Sequence, residues 1–67
     1  GVSEATAAAI DELRRLAWSV DEPTGTATTR RINATRDLGA CTLTIVVEPL
    51  GTRTSLVVYL GEGCPKP

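Results

Sequence analysis

Hydrophobic and polar positions divide the chain into one stretch of helical period followed by three of strand period. Ser3 is suited to cap a helix, and Glu4 follows at the positive end of the helix dipole. From Glu4 to about Val20 the residues are mostly Ala, Leu, Glu and Arg, all good helix formers. Thr6, Ala9, Ile10, Leu13, Leu16, Ala17 and Val20 fall on one stripe at three-and-four spacing, with Glu4, Asp11, Glu12, Arg14, Arg15 and Ser19 on the rest. Asp11 and Arg15 have the order and spacing of an i,i+4 ion pair. The Ala5–Ala9 segment has side chains small enough for close approach to another helix or for an upstream continuation of the rod, although Ala also serves simply as a helix former. Asp21-Glu22-Pro23-Thr24-Gly25 stops the helix, because Pro23 cannot continue it and Gly25 favours a turn.

Residues 26–35 read as a Thr-rich strand with Ile32 its only large apolar residue, a polarity suited to a sheet edge. Arg36-Asp37-Leu38-Gly39 is a turn. Residues 41–48 alternate, with Cys41, Leu43, Ile45 and Val47 on one face and Thr42, Thr44, Val46 and Glu48 on the other. Pro49 to Thr52 reverses the chain, and residues 54–60 return with Leu56, Val58 and Leu60 inward and Val57 and Tyr59 outward. The expected architecture is therefore α+β: a single domain over 1–67, with a helix over about 4–20 packed on a three-stranded antiparallel meander.

Length makes that domain marginal. A chain of 67 residues buries only about 60% of its unfolded surface. It has no Phe, no Met and no His, and Trp18 and Tyr59 are its only aromatic residues. Val, Leu, Ile and Ala must fill the core, with Trp18 covering its rim. The absence of Met reads as a processed chain or an internal segment of a longer one. No signal peptide and no apolar run of membrane-spanning length is present in the sequence.

Two cysteines in so short a chain are expected to form a structural disulfide, Cys41–Cys64, near the C-terminus. The other reading is a pair of unbridged, buried cysteines acting as small hydrophobes. Two thiolates without His leave a zinc site half filled, and no Cys-x-x-Cys pair is present. Ser3, Ser19 and Ser55 have no activating motif, and Gly51, Gly61 and Gly63 do not precede a helix as a phosphate loop does. No enzyme, metal or small-molecule cofactor is expected. A net charge of −1 argues against wholesale nucleic-acid binding. Arg30, Arg31, Arg36 and Arg53 are the candidates for a local phosphate contact, against the plainer reading of edge-strand charges that block aggregation. Asn33-Ala34-Thr35 matches the glycosylation acceptor pattern.

The helix Ala-Ala-Ala-Ile-Asp-Glu-Leu-Arg-Arg-Leu-Ala-Trp, the Gly/Thr segment, the Arg-Arg-Ile-Asn strand and the two closing strands together resemble the soluble part of type IV pilin-like proteins. Short minor pilins and type II secretion pseudopilins are the nearest members. The resemblance implies a structural subunit of a pilus-like filament or of a secretion or DNA-uptake apparatus. It further implies partners among other pilin subunits, an upstream hydrophobic helix half as membrane anchor, and a C-terminal loop closed by a disulfide. Placement would be extracytoplasmic, anchored in the inner membrane before assembly and then at the cell surface or in the periplasm. DNA uptake alone would give Arg30, Arg31, Arg36 and Arg53 a direct role. The alternative is a small secreted or lipoprotein-tethered binding module that uses the open sheet face of Thr42, Thr44, Val46, Val57 and Tyr59.

Overall fold

The structure, a computed structural model, describes residues 1–64; the last three residues of the expected 1–67 domain lie outside the described residues. The elements run α1 (Val2–Arg15), β1 (Ser19–Val20), β2 (Thr24–Gly25), β3 (Arg30–Arg36), β4 (Cys41–Leu50) and β5 (Arg53–Leu60). The helix packs on an antiparallel sheet, the expected α+β arrangement, but the sheet has five strands rather than three. Strand order is β1-β3-β4-β5, with β2 beside β1 on the same edge of β3.

The helix departs from expectation at both ends. It starts at Val2, and Ser3 lies in its first turn instead of capping it, because Val2 packs on the core and extends the apolar stripe backwards. It stops at Arg15, well short of Val20. Ala17 takes a φ of 68°, the left-handed conformation that closes a helix. The Ala17 N–H donates to the Arg14 carbonyl at 3.0 Å and the Trp18 N–H to the Leu13 carbonyl at 2.9 Å. This is a Schellman closure with Ala where Gly is usual, and Trp18 supplies the accompanying apolar contact by folding back onto the core that contains Leu13. Ser19 and Val20, freed from the helix, pair with Thr35 and Ala34. Ala17→Gly is expected to raise stability by about 0.5–1 kcal/mol, the relief of the left-handed strain less the entropy of an added glycine. A urea midpoint that does not rise would contradict this closure.

On the helix surface Arg15 pairs with Glu12, not with Asp11 as the spacing suggested. Arg15 Nε donates to Glu12 at 3.0 Å, and this hydrogen bond, ahead of the guanidinium charge, holds the Glu12 carboxyl below its ordinary value. Both side chains are exposed, so the pair adds little to stability.

The expected strand over residues 26–35 is broken by its own threonines. The Thr26 hydroxyl accepts the N–H groups of Thr28 at 3.3 Å and Thr29 at 3.1 Å, and the Thr26 N–H donates to the Thr29 carbonyl at 2.9 Å. These local bonds replace a sheet ladder and make a tight turn between β2 and β3. Gly25 permits it: with a φ of 102°, any Cβ there would run into the Thr29 carbonyl. The β3–β4 turn holds Asp37, Leu38 and Gly39 all at positive φ.

β4 continues through Pro49 to Leu50 instead of stopping at Glu48. Alternation of the ladder points the nitrogen of Pro49 towards β3, which has already ended, since its first residue Arg30 pairs with Val47. The missing donor therefore costs no bond and ends the β3–β4 ladder. Leu50 and Arg53 close a two-residue hairpin over Gly51-Thr52, with Gly51 at φ 63°, as the first position of a type II′ turn requires.

The core is Leu13 from α1, Ile32 and Ala34 from β3, and Leu43, Ile45 and Val47 from β4. Ile32 and Val47 are completely buried. No β5 residue belongs to it. An α-helix is about 10 Å wide and strands lie about 4.8 Å apart, so one helix covers about two strands. Cys41 and Cys64 form the expected disulfide, Cα–Cα 4.4 Å, which ties the start of β4 to the turn after β5. Among the described residues, no helix is long and apolar enough to cross a membrane.

Candidate interaction surface

Covering only β3 and β4 leaves β5 as an apolar strand beyond the flank of the helix. Leu56, Val58 and Leu60 stand opposite Val47, Ile45 and Leu43, on the face expected from their alternation. Their partners are buried, whereas they are 47%, 53% and 58% exposed. The expectation that they fill the core is thus corrected: the face was read properly, but the helix does not reach it. On the opposite face, Val57 and Tyr59 are also exposed, next to the half-buried Val46 and Thr44. Contiguous apolar surface of a few hundred Å² on a small monomer is commonly functional.

The backbone of β5 is open as well, since β4 is its only neighbour among the described residues. The Gly61 N–H donates to the Thr42 carbonyl at 2.8 Å, which sets the phase of the ladder. Arg53, Ser55, Val57 and Tyr59 therefore turn their backbone groups towards β4, and Thr54, Leu56, Val58 and Leu60 turn theirs outward. The other side of the sheet is different. There, β1 and β2 are two residues each, separated by a segment containing Pro23, the short and interrupted edge that resists further pairing. β5 is eight residues long and has neither a proline nor a charge between Thr54 and Leu60.

The four candidate arginines are divided between the two faces of the sheet. Arg30 lies on the helix-covered face, where its guanidinium donates to the Pro23 carbonyl at 3.2 Å and the Gly25 carbonyl at 3.4 Å. Arg36 stacks on Trp18, with its guanidinium carbon 5.1 Å from the ring centroid. Arg31 is exposed and paired in register with Val46, on the face away from the helix, and Arg53 sits at the hairpin end of β5. Two of the four are thus already engaged within the fold. Asn33 lies in the middle of β3, and its side-chain carbonyl accepts the Thr44 hydroxyl at 2.9 Å. Trp18 packs at the edge of the core, where its position at the helix end placed it.

An open groove of about 410 Å³ lies between α1 and the β2 turn, lined by Ser3, Thr6, Ala7, Ile10, Pro23 and Arg30. Its only ionisable group is Arg30, which spends one donor on each of the Pro23 and Gly25 carbonyls. Among the described residues, no three His, Cys, Asp or Glu side chains converge as metal ligands would. The uncovered β5 strand was missed by sequence reasoning because alternation reports which way a side chain points, not whether anything lies above it. Helix width was the available signal.

The disulfide points to an oxidising, extracytoplasmic environment. No family model matches the chain, and neither a curated protein nor a solved structure matches it.

Proposed function

We propose that this chain is a non-catalytic structural subunit of an extracytoplasmic assembly, making its contacts with other protein through the β5 side of its sheet. The observation that carries this reading is the uncovered apolar strand, exposed on both faces and along its outer edge. Its narrower form is a minor pilin or pseudopilin of a type IV pilus-like filament or of a secretion or DNA-uptake apparatus. That form is supported by one helix lying on an antiparallel sheet, by the disulfide after the last strand, and by the exposed Ala7 and Ala8 of the helix. Its setting would be the periplasm or the cell surface, with anchoring in the inner membrane before assembly. DNA is left out of the proposed contact, because the candidate arginines are divided between faces.

A second reading draws on Val57 and Tyr59, exposed beside Val46 on the face away from the helix. They suit a secreted or lipoprotein-tethered module that grips a partner with that face. The reading frame upstream of Val2 separates the two. An apolar stretch of about twenty residues running into α1 supports the filament subunit, and a lipobox cysteine or a cleaved signal followed by a linker supports the tethered module.

Contact through β5 is tested by placing a photoreactive amino acid at Tyr59, and separately at Asp11 on the outer helix surface, in intact cells. Crosslinked adducts are expected from position 59 and not from position 11. Adducts from neither position, or from both alike, would overturn the reading.

A further inference from the structure

We infer that the occupant of the β5 edge is a second copy of this chain, paired antiparallel to β5 about a two-fold axis centred on Val57. This rests on the reading of β5 as the contact side and names its partner. The first reason is the phase of the ladder. Thr54, Leu56, Val58 and Leu60 carry the outward N–H and C=O groups. Pairing centred on Val57 sets Thr54 against Leu60 of the second copy and Leu56 against Val58 of the second copy, so every outward group finds a partner. Centring on Leu56 instead would set Leu60 against Thr52 in the hairpin turn. Centring on Val58 would set Thr54 against Glu62, beyond the strand. Only the Val57 register uses the whole edge, and an edge whose donors and acceptors complement themselves needs no other sequence to complete it.

The second reason is charge. Between Arg53 at one end and Glu62 just past the other, the strand carries no Asp, Glu, Lys, Arg or His. Antiparallel pairing in this register places Arg53 opposite Gly61 of the second copy, next to its Glu62, and the two-fold repeats the match at the far end. A parallel arrangement would instead set Arg53 beside Arg53. The disulfide holds Gly63 and Cys64 back against Ala40 and Cys41, beside the start of β4, so the approach to the free edge is open among the described residues.

Packing agrees with hydrogen bonding. Val57 meets its own symmetry mate as a pair not bonded through the backbone, the kind in which side chains approach most closely. Tyr59 lies across from Ser55 and diagonal to Arg53 of the second copy, within reach of a cation–π contact. On the other face, Leu56, Val58 and Leu60 of both copies form one apolar strip between the two helices. A single pair of strands is a small contact, in the class below about 1,200 Å² that weak and transient associations occupy, so the dimer is expected to be reversible and not obligate.

Sedimentation of the oxidised protein from about 5 µM to about 500 µM is the test, a range suited to a weak, reversible dimer. The expected result is a concentration-dependent shift from the 7.0 kDa monomer to twice that mass. Val58→Pro removes an outward donor without touching the β4 ladder, and is expected to weaken association at least about tenfold. Arg53→Glu or Glu62→Arg alone sets like charges side by side, so it weakens association at low salt and inverts its salt dependence, and the double exchange restores the original behaviour. These exposed-site variants keep the test open should Val58→Pro fail to fold. A monomer throughout the range overturns self-pairing, as does a dimer indifferent to both Val58→Pro and the charge exchange. If the chain is monomeric while position 59 still crosslinks to a different polypeptide in cells, self-pairing fails and the contact reading survives. If neither is seen, both fail.

Discussion

Reducing the Cys41–Cys64 bridge is expected to lower the stability of this domain by about 3 kcal/mol, the chain-entropy value for a closed loop of this length. The sequence separation is 23 residues, and the loop encloses all of β4, the hairpin turn and β5. β5 is where the bridge acts, because its side chains contribute nothing to the fully buried core and β4 is its only strand partner among the described residues. Without the bridge, the hairpin is held at its open end only by the ladder and by the Gly61–Thr42 hydrogen bond. Against a total stability of about 5 kcal/mol for so small a domain, the loss is most of what is available. Thermal unfolding with and without reductant, or of Cys41→Ser/Cys64→Ser, is expected to show a Tm lower by about 12–24 °C. A fall of only a few degrees would mean that the β4–β5 ladder stands unaided.

The second large effect is at the junction of helix and sheet. Ile32→Ala removes one of the two completely buried side chains and is expected to cost about 3–4 kcal/mol, transfer and cavity terms together. Leu56→Ala removes a comparable volume from the same face of the sheet, two strands away. Leu56 is 47% exposed, and its loss is expected to cost about 1 kcal/mol or less. The contrast follows from the width of one helix. Urea denaturation of the two variants side by side measures it; equal losses would show that something in the domain covers β5 after all.

Several features of this fold were legible in the residues. Alternation from Cys41 to Val47 fixed both the strand and its buried face, and the returning strand and its hairpin followed from Gly51 and the second alternating run. The cysteine pair was legible from chain size and count. Other features left no periodic trace. Ala17 ends the helix in a conformation normally marked by Gly, so the true C-terminus was invisible and the stripe seemed to run on to Val20. β1 and β2 are two residues each, too short to alternate, and exist because the free edge of β3 accepts them. The threonines at 26, 28 and 29 have strand propensity, yet their hydroxyl and backbone groups satisfy one another in a turn.

The candidate site was legible only in part. Facing of Leu56, Val57, Val58, Tyr59 and Leu60 was read correctly from alternation, but burial was inferred from facing, and that step fails at the last strand of a sheet roofed by a single helix. Arg30 and Arg31, neighbours in β3, point to opposite faces of the sheet, as adjacent strand residues must. The capture of Arg30 by two carbonyls and of Arg36 by Trp18 depends on turns and pairings that sequence spacing does not encode.

The central claim is that β5 has an open edge, and site-resolved amide hydrogen exchange measures it most directly. In dilute oxidised protein the N–H groups of Ser55, Val57 and Tyr59 should exchange slowly and those of Thr54, Leu56, Val58 and Leu60 quickly, with the fast set gaining protection as concentration rises into the dimeric range. Equal protection along the whole strand in the dilute monomer would contradict the account, as would a fast set that stays fast at every concentration.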